Sequence, residues 1–260
     1  IDERGNLQSY AYDATDNLVS VTYPGGKRVS YEYDAAERLV KVTDWADRVS
    51  TIEWNDSDRV TRMTLPNGVT RKMAYNRLGQ LVSREDVNAE GVTLLSYKYQ
   101  YNEIGKIVAE IAHPPEPPPI SEAVSSSYDL DWNRLQNVGP HSIQRDYGGH
   151  ITHVSGFGEI DYNRRGRMNV TERYDYFYDE EDNLVGWRSV ENPARQTSFV
   201  INPADSLTQV IASSETDGAE TKDTLFVYGL GLLYEEIDGE ARYFHQDYRG
   251  STVALSNDQG

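Results

Sequence analysis

The 260-residue sequence has no cysteine. Neither a disulfide framework nor a thiolate metal site can be built, thiol catalysis is excluded, and the redox compartment is left open. No run of about 18 apolar residues occurs, the length needed to cross a bilayer as a helix. Phenylalanine is scarce, five against 19 tyrosines, and apolar residues make up only 38% of the chain. Basic residues are also in short supply, 25 against 42 acidic ones, for a net charge of −17. That balance repels phosphate backbones and anionic lipid, so neither nucleic-acid binding nor membrane insertion is expected. Also missing are a Gly-x-Ser-x-Gly elbow, a His-Glu-x-x-His helix, a phosphate-binding Gly-Lys-Ser/Thr loop and any capped amphipathic helix. The opening residues, Ile1-Asp2-Glu3-Arg4-Gly5, carry no signal-peptide pattern and read as the interior of a longer protein.

What is abundant is tyrosine, whose ring packs while its hydroxyl stays wet or finds a partner. Its placement is periodic. Tyr12-Asp13, Tyr33-Asp34, Trp54-Asn55 and Tyr75-Asn76 recur at intervals of 21 residues, each followed six positions after the aromatic by Leu18, Leu39, Val60 and Leu81. The frame continues with looser spacing through Tyr101-Asn102 to Ile107, Tyr162-Asn163 to Met168, Tyr178-Asp179 to Leu184, and Ile201-Asn202 to Leu207. Ile1-Asp2 to Leu7 fits at the start, Arg145-Asp146 to Ile151 fits with Arg in the aromatic slot, and Tyr128-Asp129 to Leu135 carries one inserted residue. A repeat of this kind decides the architecture before any single residue does.

Each position of the unit has a physical reason. The second is Asp or Asn, whose side chain bonds the backbone two residues on and closes a turn. The fifth is often Gly, as at Gly5, Gly79, Gly105, Gly149 and Gly166, which suits a left-handed turn residue. Flanking residues alternate: Val29, Tyr31 and Tyr33 share one strand face, and Arg28, Ser30 and Glu32 the other. Pro24-Gly25-Gly26-Lys27 and Pro66-Asn67-Gly68 reverse the chain again. The unit is therefore two strands and two turns, and the chain an all-β array of tandem hairpins in one continuous, spiralling antiparallel sheet. Tyr12, Tyr33, Trp54 and Tyr75 are expected to line one face in register, with Tyr beside Tyr on neighbouring strands. The exception is His113-Pro114-Pro115-Glu116-Pro117-Pro118-Pro119, running to Ser125-Ser126-Ser127, where proline density forbids a central strand.

The unit Tyr-Asp-x-x-(Gly/Asp/Glu)-(Arg/Asn)-Leu-(Val/Thr), close to consensus at residues 12–19 and 33–40, resembles the YD repeat of the RHS family. Phe226-Val227-Tyr228-Gly229, with Tyr243-Phe244-His245-Gln246-Asp247-Tyr248-Arg249-Gly250-Ser251-Thr252, is similar to the opening of the RHS-associated core. The resemblance divides the chain into YD repeats at 1–112, a Pro/Ser-rich excursion at 113–127, YD repeats at 128–225 and the start of the core at 226–260. It implies the wall of a hollow shell that encapsulates a C-terminal toxin or effector domain, as in bacterial RHS polymorphic toxins and the C component of insecticidal toxin complexes. The implied partners are the remainder of the RHS polypeptide, its toxin cargo, and another shell subunit or a secretion component. The implied location is extracellular, by secretion or delivery. The alternative is a cell-surface adhesion or carbohydrate-binding module of the same repeat, since exposed tyrosine suits sugar stacking. Family cores continue into an aspartate-containing self-cleavage motif, which this sequence does not carry as far as Gly260. Open strand edges are accordingly expected near Ile1 and Gly260.

Three side-chain groupings invite a chemical reading, and each has a plainer one. His150 and His153 are close in sequence, but odd spacing puts them on opposite faces of a strand. Asp179-Glu180-Glu181-Asp182 lacks the alternating oxygen ligands of a calcium loop and fills the turn slots of the repeat. His245 and Asp247 share a strand face and could form an acid–base pair, although a wall hydrogen bond accounts for them as well. No catalytic residue, no cofactor and no metal site is assigned, and enzymatic activity is not expected.

Overall fold

The computed structural model describes residues 7–113, 124–202, 209–247 and 249–260. The leading repeat Ile1-Asp2 to Leu7, most of the proline-rich excursion and the Leu207 slot lie outside the described residues, apart from their bordering positions. Among the described residues there is no α-helix, and one 3-10 turn at Pro24–Gly26 is the sole helical element. Everything else regular is strand, each paired antiparallel with its sequence neighbour as the hairpin repeat requires.

Two compact units divide the chain, one of residues 1–117 and 224–260, the other of residues 118–223. In the first unit the chain opens with β1 (Ser9–Tyr12), β2 (Leu18–Thr22), β3 (Arg28–Tyr33), β4 (Leu39–Thr43) and β5 (Val49–Trp54). It continues through β6 (Val60–Thr64), β7 (Thr70–Tyr75), β8 (Leu81–Val87), β9 (Thr93–Tyr101) and β10 (Ile107–His113). These ten form one sheet in chain order, with β1 and β10 at its edges. The second unit holds β11 (Ser126–Tyr128), β12 (Leu135–Val138), β13 (His141–Arg145), β14 (Ile151–Val154) and β15 (Gly158–Tyr162). It goes on through β16 (Met168–Thr171), β17 (Tyr174–Tyr178), β18 (Leu184–Ser189), β19 (Arg195–Asn202) and β20 (Gln209–Asp217). The last strands, β21 (Glu220–Tyr228), β22 (Leu232–Ile237), β23 (Glu240–Gln246) and β24 (Thr252–Ser256), return from Thr224 onward to the first unit.

The turn chemistry follows the repeat. Asp34 Oδ1 accepts the backbone N–H groups of Ala36 and Arg38 at 2.9 and 3.1 Å, and Asn76 Oδ1 accepts those of Leu78 and Gln80, both at 3.0 Å. Asp13, Asn55 and Asn102 do the same two and four residues on. The fifth position is left-handed throughout, at Gly79 (φ 77°) and also at Asp16 (φ 65°), Glu37 (φ 61°) and Asp58 (φ 56°), which lack glycine's freedom. Gly79 meets a second demand, because a Cβ there would collide with the guanidinium of Arg59 from the preceding repeat. Where Asp58 replaces glycine, its carboxylate instead takes Arg38 Nη1 at 2.8 Å.

Each turn that follows an aromatic slot closes on a β-bulge: Tyr33 pairs with Leu39 and Glu32 with Lys41, so Val40 has no partner opposite. The aromatic slot thus faces the aliphatic slot of its own hairpin, rather than a tyrosine of the adjacent strand as the sequence suggested. Contact between repeats is made by the ring's polar tip. Tyr33 Oη donates to Leu18 O at 3.0 Å, Trp54 Nε1 to Leu39 O at 2.8 Å and Tyr75 Oη to Val60 O at 2.9 Å. Tyr101, Tyr162 and Tyr178 donate in the same way to Leu81, Ile151 and Met168. Arg145, in the aromatic slot, does it with Nη2 on Leu135 O at 3.3 Å. Tyr33, Trp54 and Tyr75 are half-buried, whereas Tyr12 is 52% exposed and stands apart from the other three.

Removing only the hydroxyl, Tyr33→Phe should lower stability by about 1 kcal/mol, the net worth of one such bond, read as a shift of the urea midpoint at constant slope. At the turns, Glu37→Gly should stabilise and Gly79→Ala destabilise, each by roughly 1–2 kcal/mol from the left-handed backbone, with Gly79→Ala the larger effect because Arg59 must also move.

Candidate functional site

In the first unit, four in-frame positions of the ten-stranded sheet are buried in every repeat that carries them: Tyr23, Asp44, Leu65 and Asp86 stand 21 residues apart. Val21, Val42, Met63 and Arg84 form a second such series, also buried. These positions face residues 224–260. Tyr23 Oη donates to Phe226 O at 2.7 Å, and Asn67 Nδ2 donates to Asn257 O at 2.9 Å. The seam between the two segments contains two charge clusters that sequence reasoning missed.

The first surrounds Glu236 on β22. Its carboxylate accepts Lys27 Nζ at 2.6 Å, the Trp45 indole N–H at 3.0 Å and the Arg48 guanidinium, which is itself held by Asp44 Oδ2 at 2.7 Å. Burial opposes ionisation of Glu236, but the hydrogen bonds from Lys27, Arg48 and Trp45 outweigh it and hold its carboxyl below the usual range.

The second cluster is centred on Asp86 of β8, which has no exposed side-chain surface. Arg71 Nε and Nη2 reach Asp86 at 3.0 Å each, and Arg84 Nε stands 3.6 Å away. From β23, His245 Nδ1 donates to Asp86 Oδ2 at 2.8 Å, so its Nε2 faces Ser256 Oγ of β24 at 2.9 Å. Asn67 Nδ2 reaches the same Oγ at 3.0 Å. Burial again opposes ionisation of Asp86, and the His245 bond, Arg71 and Arg84 overcome it, depressing its carboxyl far below the ordinary value. Arg71 Nη2 and Arg84 Nη1 extend the network to the carbonyls of Phe244 and Asp247, at 3.2 and 3.1 Å.

Asp86, His245 and Ser256 stand in the order of an acid–imidazole–hydroxyl relay, beside a cavity of about 660 Å³ lined by Leu94, Arg242, His245, Leu255 and Ser256 among others. The electrostatics differ from those of a nucleophile. Two guanidiniums already match the Asp86 carboxylate, so an imidazolium formed in turnover would add a third positive charge in a dry interior. Ser256 is also fixed by Asn67. The arrangement orients and ties four strands.

The other sequence candidates separate. His245 does not pair with Asp247, contrary to the adjacency in sequence. Asp247 Oδ1 caps its own turn, accepting the N–H groups of Arg249 and Ser251 at 2.8 and 2.9 Å, while the His245 ring is drawn to Asp86 across the seam. His150 bonds Asp146 and His153 bonds Glu159, each at 3.0 Å, so the two imidazoles serve different carboxylates. Asp179 caps Asn183, and Asp182 takes Arg165 at 3.2 Å. Among the described residues no group of three or more His, Asp or Glu side chains is placed to hold a metal.

Asp86→Asn should cost about 3–5 kcal/mol by stranding two buried guanidiniums, with loss of amide protection on β23 measured by hydrogen exchange. For pH, both lowered carboxyls give the same sign. Their contribution is fully present above the unfolded values near 4 and is lost as pH falls through their depressed folded values. Burial of β22–β24 should therefore persist at pH 5 and fail progressively below pH 4 in an acid titration followed by tryptophan fluorescence.

With this geometry in hand, comparisons place the chain. Residues 12–49 and 54–93 match the RHS repeat family model. No curated protein matches by sequence. Among solved structures, the Tc holotoxin pore of Photorhabdus luminescens matches over 97% of this chain and 17% of its own, at 13% identity and a TM-score of 0.68. Two TcdB2–TccC3 crystal structures, one of them TcdB2–TccC3–TEV, match over the same 97% at 13% and 12% identity, with TM-scores of 0.70 and 0.71. This chain spans less than a fifth of those chains' length, 17–18%. Repeat motif, bulged hairpins and fold agree: residues 12–49 and 54–93 are RHS repeats, and the fold over 97% of the chain is like that of these Tc toxin chains.

Proposed function

We propose that this chain is a wall segment of a secreted or delivered bacterial RHS protein, whose shell encapsulates a toxic domain and holds it unfolded, without chemistry of its own. The observation that carries the reading is the fold likeness over 97% of the chain to Tc toxin chains, joined to RHS repeats in the sequence. The seam supports it physically. A container under load must resist separation of its layers, and the two charge clusters tie residues 224–260 to Lys27, Arg48, Arg71 and Asp86 through bonds that cannot slip by one residue without stranding buried charge. The partners on this reading are the rest of the polypeptide, its cargo, and a further shell subunit. Delivery is to the extracellular side.

Two measurements test it. In the parent polypeptide, limited proteolysis should spare the cargo while the shell is intact and cut it once Asp86→Asn loosens the seam. Equal cleavage in both would sink the encapsulation reading. For chemistry, a fluorophosphonate probe should leave Ser256 unlabelled under native conditions. Labelling lost in Ser256→Ala would overturn the claim that the wall is inert.

A further inference from the structure

The turn of residues 65–69, between β6 and β7, holds the one Asn-Gly pair in the sequence, Asn67-Gly68. Such a pair carries its own chemistry. The glycine backbone nitrogen can attack the asparagine Cγ, and no side chain hinders ring closure. The turn residues Asn55, Asn76, Asn102 and Asn163 are followed by Asp, Arg, Glu and Arg, whose side chains obstruct the same step. In the folded chain both reacting groups of Asn67-Gly68 are occupied. Gly68 N–H donates to Leu65 O at 3.0 Å. Asn67 is buried, its Oδ1 accepts the Val69 N–H at 3.2 Å, and both protons of Nδ2 are used, on Ser256 Oγ at 3.0 Å and Asn257 O at 2.9 Å. Those two acceptors belong to β24 and the residue after it, so the lock exists only while this strand is seated. The glycine is fixed by geometry: Gly68 stands at φ 80°, and a Cβ on it would come to 3.0 Å from that of Ala89. The amide also heads a directional chain. Because His245 Nδ1 donates to Asp86, Nε2 accepts from the Ser256 hydroxyl, whose oxygen accepts in turn from Asn67.

We propose that Asn67 is a deamidation site guarded by the seam, converted once β24 lifts away, and that its product keeps the strand from returning. Gly68 N gives up its proton to water and bonds to Asn67 Cγ. The Cγ–Nδ2 bond then breaks, and ammonia leaves with a proton returned from water. A second water molecule opens the five-membered imide at one of its two carbonyls, giving aspartate or isoaspartate at position 67. The net change is one water consumed and one ammonia released, and no oxidant or further reactant is needed. Either product is wrong for the seam. A carboxylate offers no proton to Asn257 O, and the Ser256 hydroxyl turns towards it, leaving His245 Nε2 buried without a donor. Isoaspartate also adds a methylene to the main chain of a turn already fitted against Ala89. Seating of β24 and deamidation of Asn67 therefore exclude each other, and the turn records an opening of the seam irreversibly. The site depends on the seam alone, whatever the wall encloses.

The test is mass mapping of the tryptic fragment 63–71 after incubation of the intact chain at mildly alkaline pH, with isoaspartate read by enzymatic methylation. The native chain should convert at least tenfold more slowly than the same chain in urea. Ser256→Ala, checked as folded by circular dichroism, should convert severalfold faster than the parent, because one Nδ2 proton loses its acceptor. Equal rates in the native and unfolded chains overturn the guard. For the product, Asn67→Asp should lose amide protection on β24 in hydrogen exchange at neutral pH, while β3 and β4 keep theirs. The parent chain, converted in urea and refolded beside an unconverted control, gives the same reading without a substitution. Protection of β24 that is unchanged by the carboxylate overturns the claim that the product holds the seam open.

Discussion

One hydrogen bond organises the array. In seven hairpins a side-chain donor in the aromatic slot, Tyr33, Trp54, Tyr75, Tyr101, Arg145, Tyr162 or Tyr178, reaches the carbonyl of the aliphatic-slot residue in the hairpin before it. A β-bulge at the mouth of the turn that follows each aromatic slot brings that carbonyl into reach, because it takes one residue out of the ladder there. Each such bond contributes only about 1 kcal/mol, comparable to one cross-strand pair. Its importance is geometric: it fixes the stagger between repeats and therefore where the opposite turns arrive. Those opposite turns carry Tyr23, Asp44, Leu65 and Asp86 into the seam.

At the seam the repeat is used unevenly. The early repeats place Val21 and Val42 in a buried series where a later one has Arg84, and Val29 stands where a later repeat has Arg71. Substituting charge for hydrocarbon there is costly in desolvation, and the replacement is made good only by partners from β22 and β23. A hydrophobic seam of the same area would tolerate sliding. A bidentate Arg71–Asp86 pair with His245 on the remaining lone pair has one solution.

Much of this was legible in the residues. The 21-residue period, the Asx second position and the left-handed fifth position each follow from local chemistry, and the structure realises them at Asp34, Asn76 and Gly79. What local chemistry could not supply was the partner of His245. Asp86 lies 159 residues upstream, in a Ser-Arg-Glu-Asp stretch that reads as a solvated strand. The signal was present in the frame itself, since Arg84 occupies a position where sister repeats hold Val21, Val42 and Met63. A charge at a position that is apolar in its siblings marks a buried pair. Adjacency misled at Asp247, which a turn had already claimed. The tyrosine ladder was foreseen as ring beside ring, whereas the bulge places aromatic against aliphatic and leaves the coupling to the hydroxyl.

Because the acceptor in that coupling is main chain, it has no identity to match. Any slot residue with a donor at the right reach will serve, and Tyr, Trp and Arg all occur. A change in one repeat therefore imposes no compensating change in the next, unlike a side-chain pair, whose two members must vary together. Repeats coupled in this way are interchangeable parts, free to drift separately while the joint between them is kept. The same sheet can then persist in chains that share 12–13% of their residues with this one.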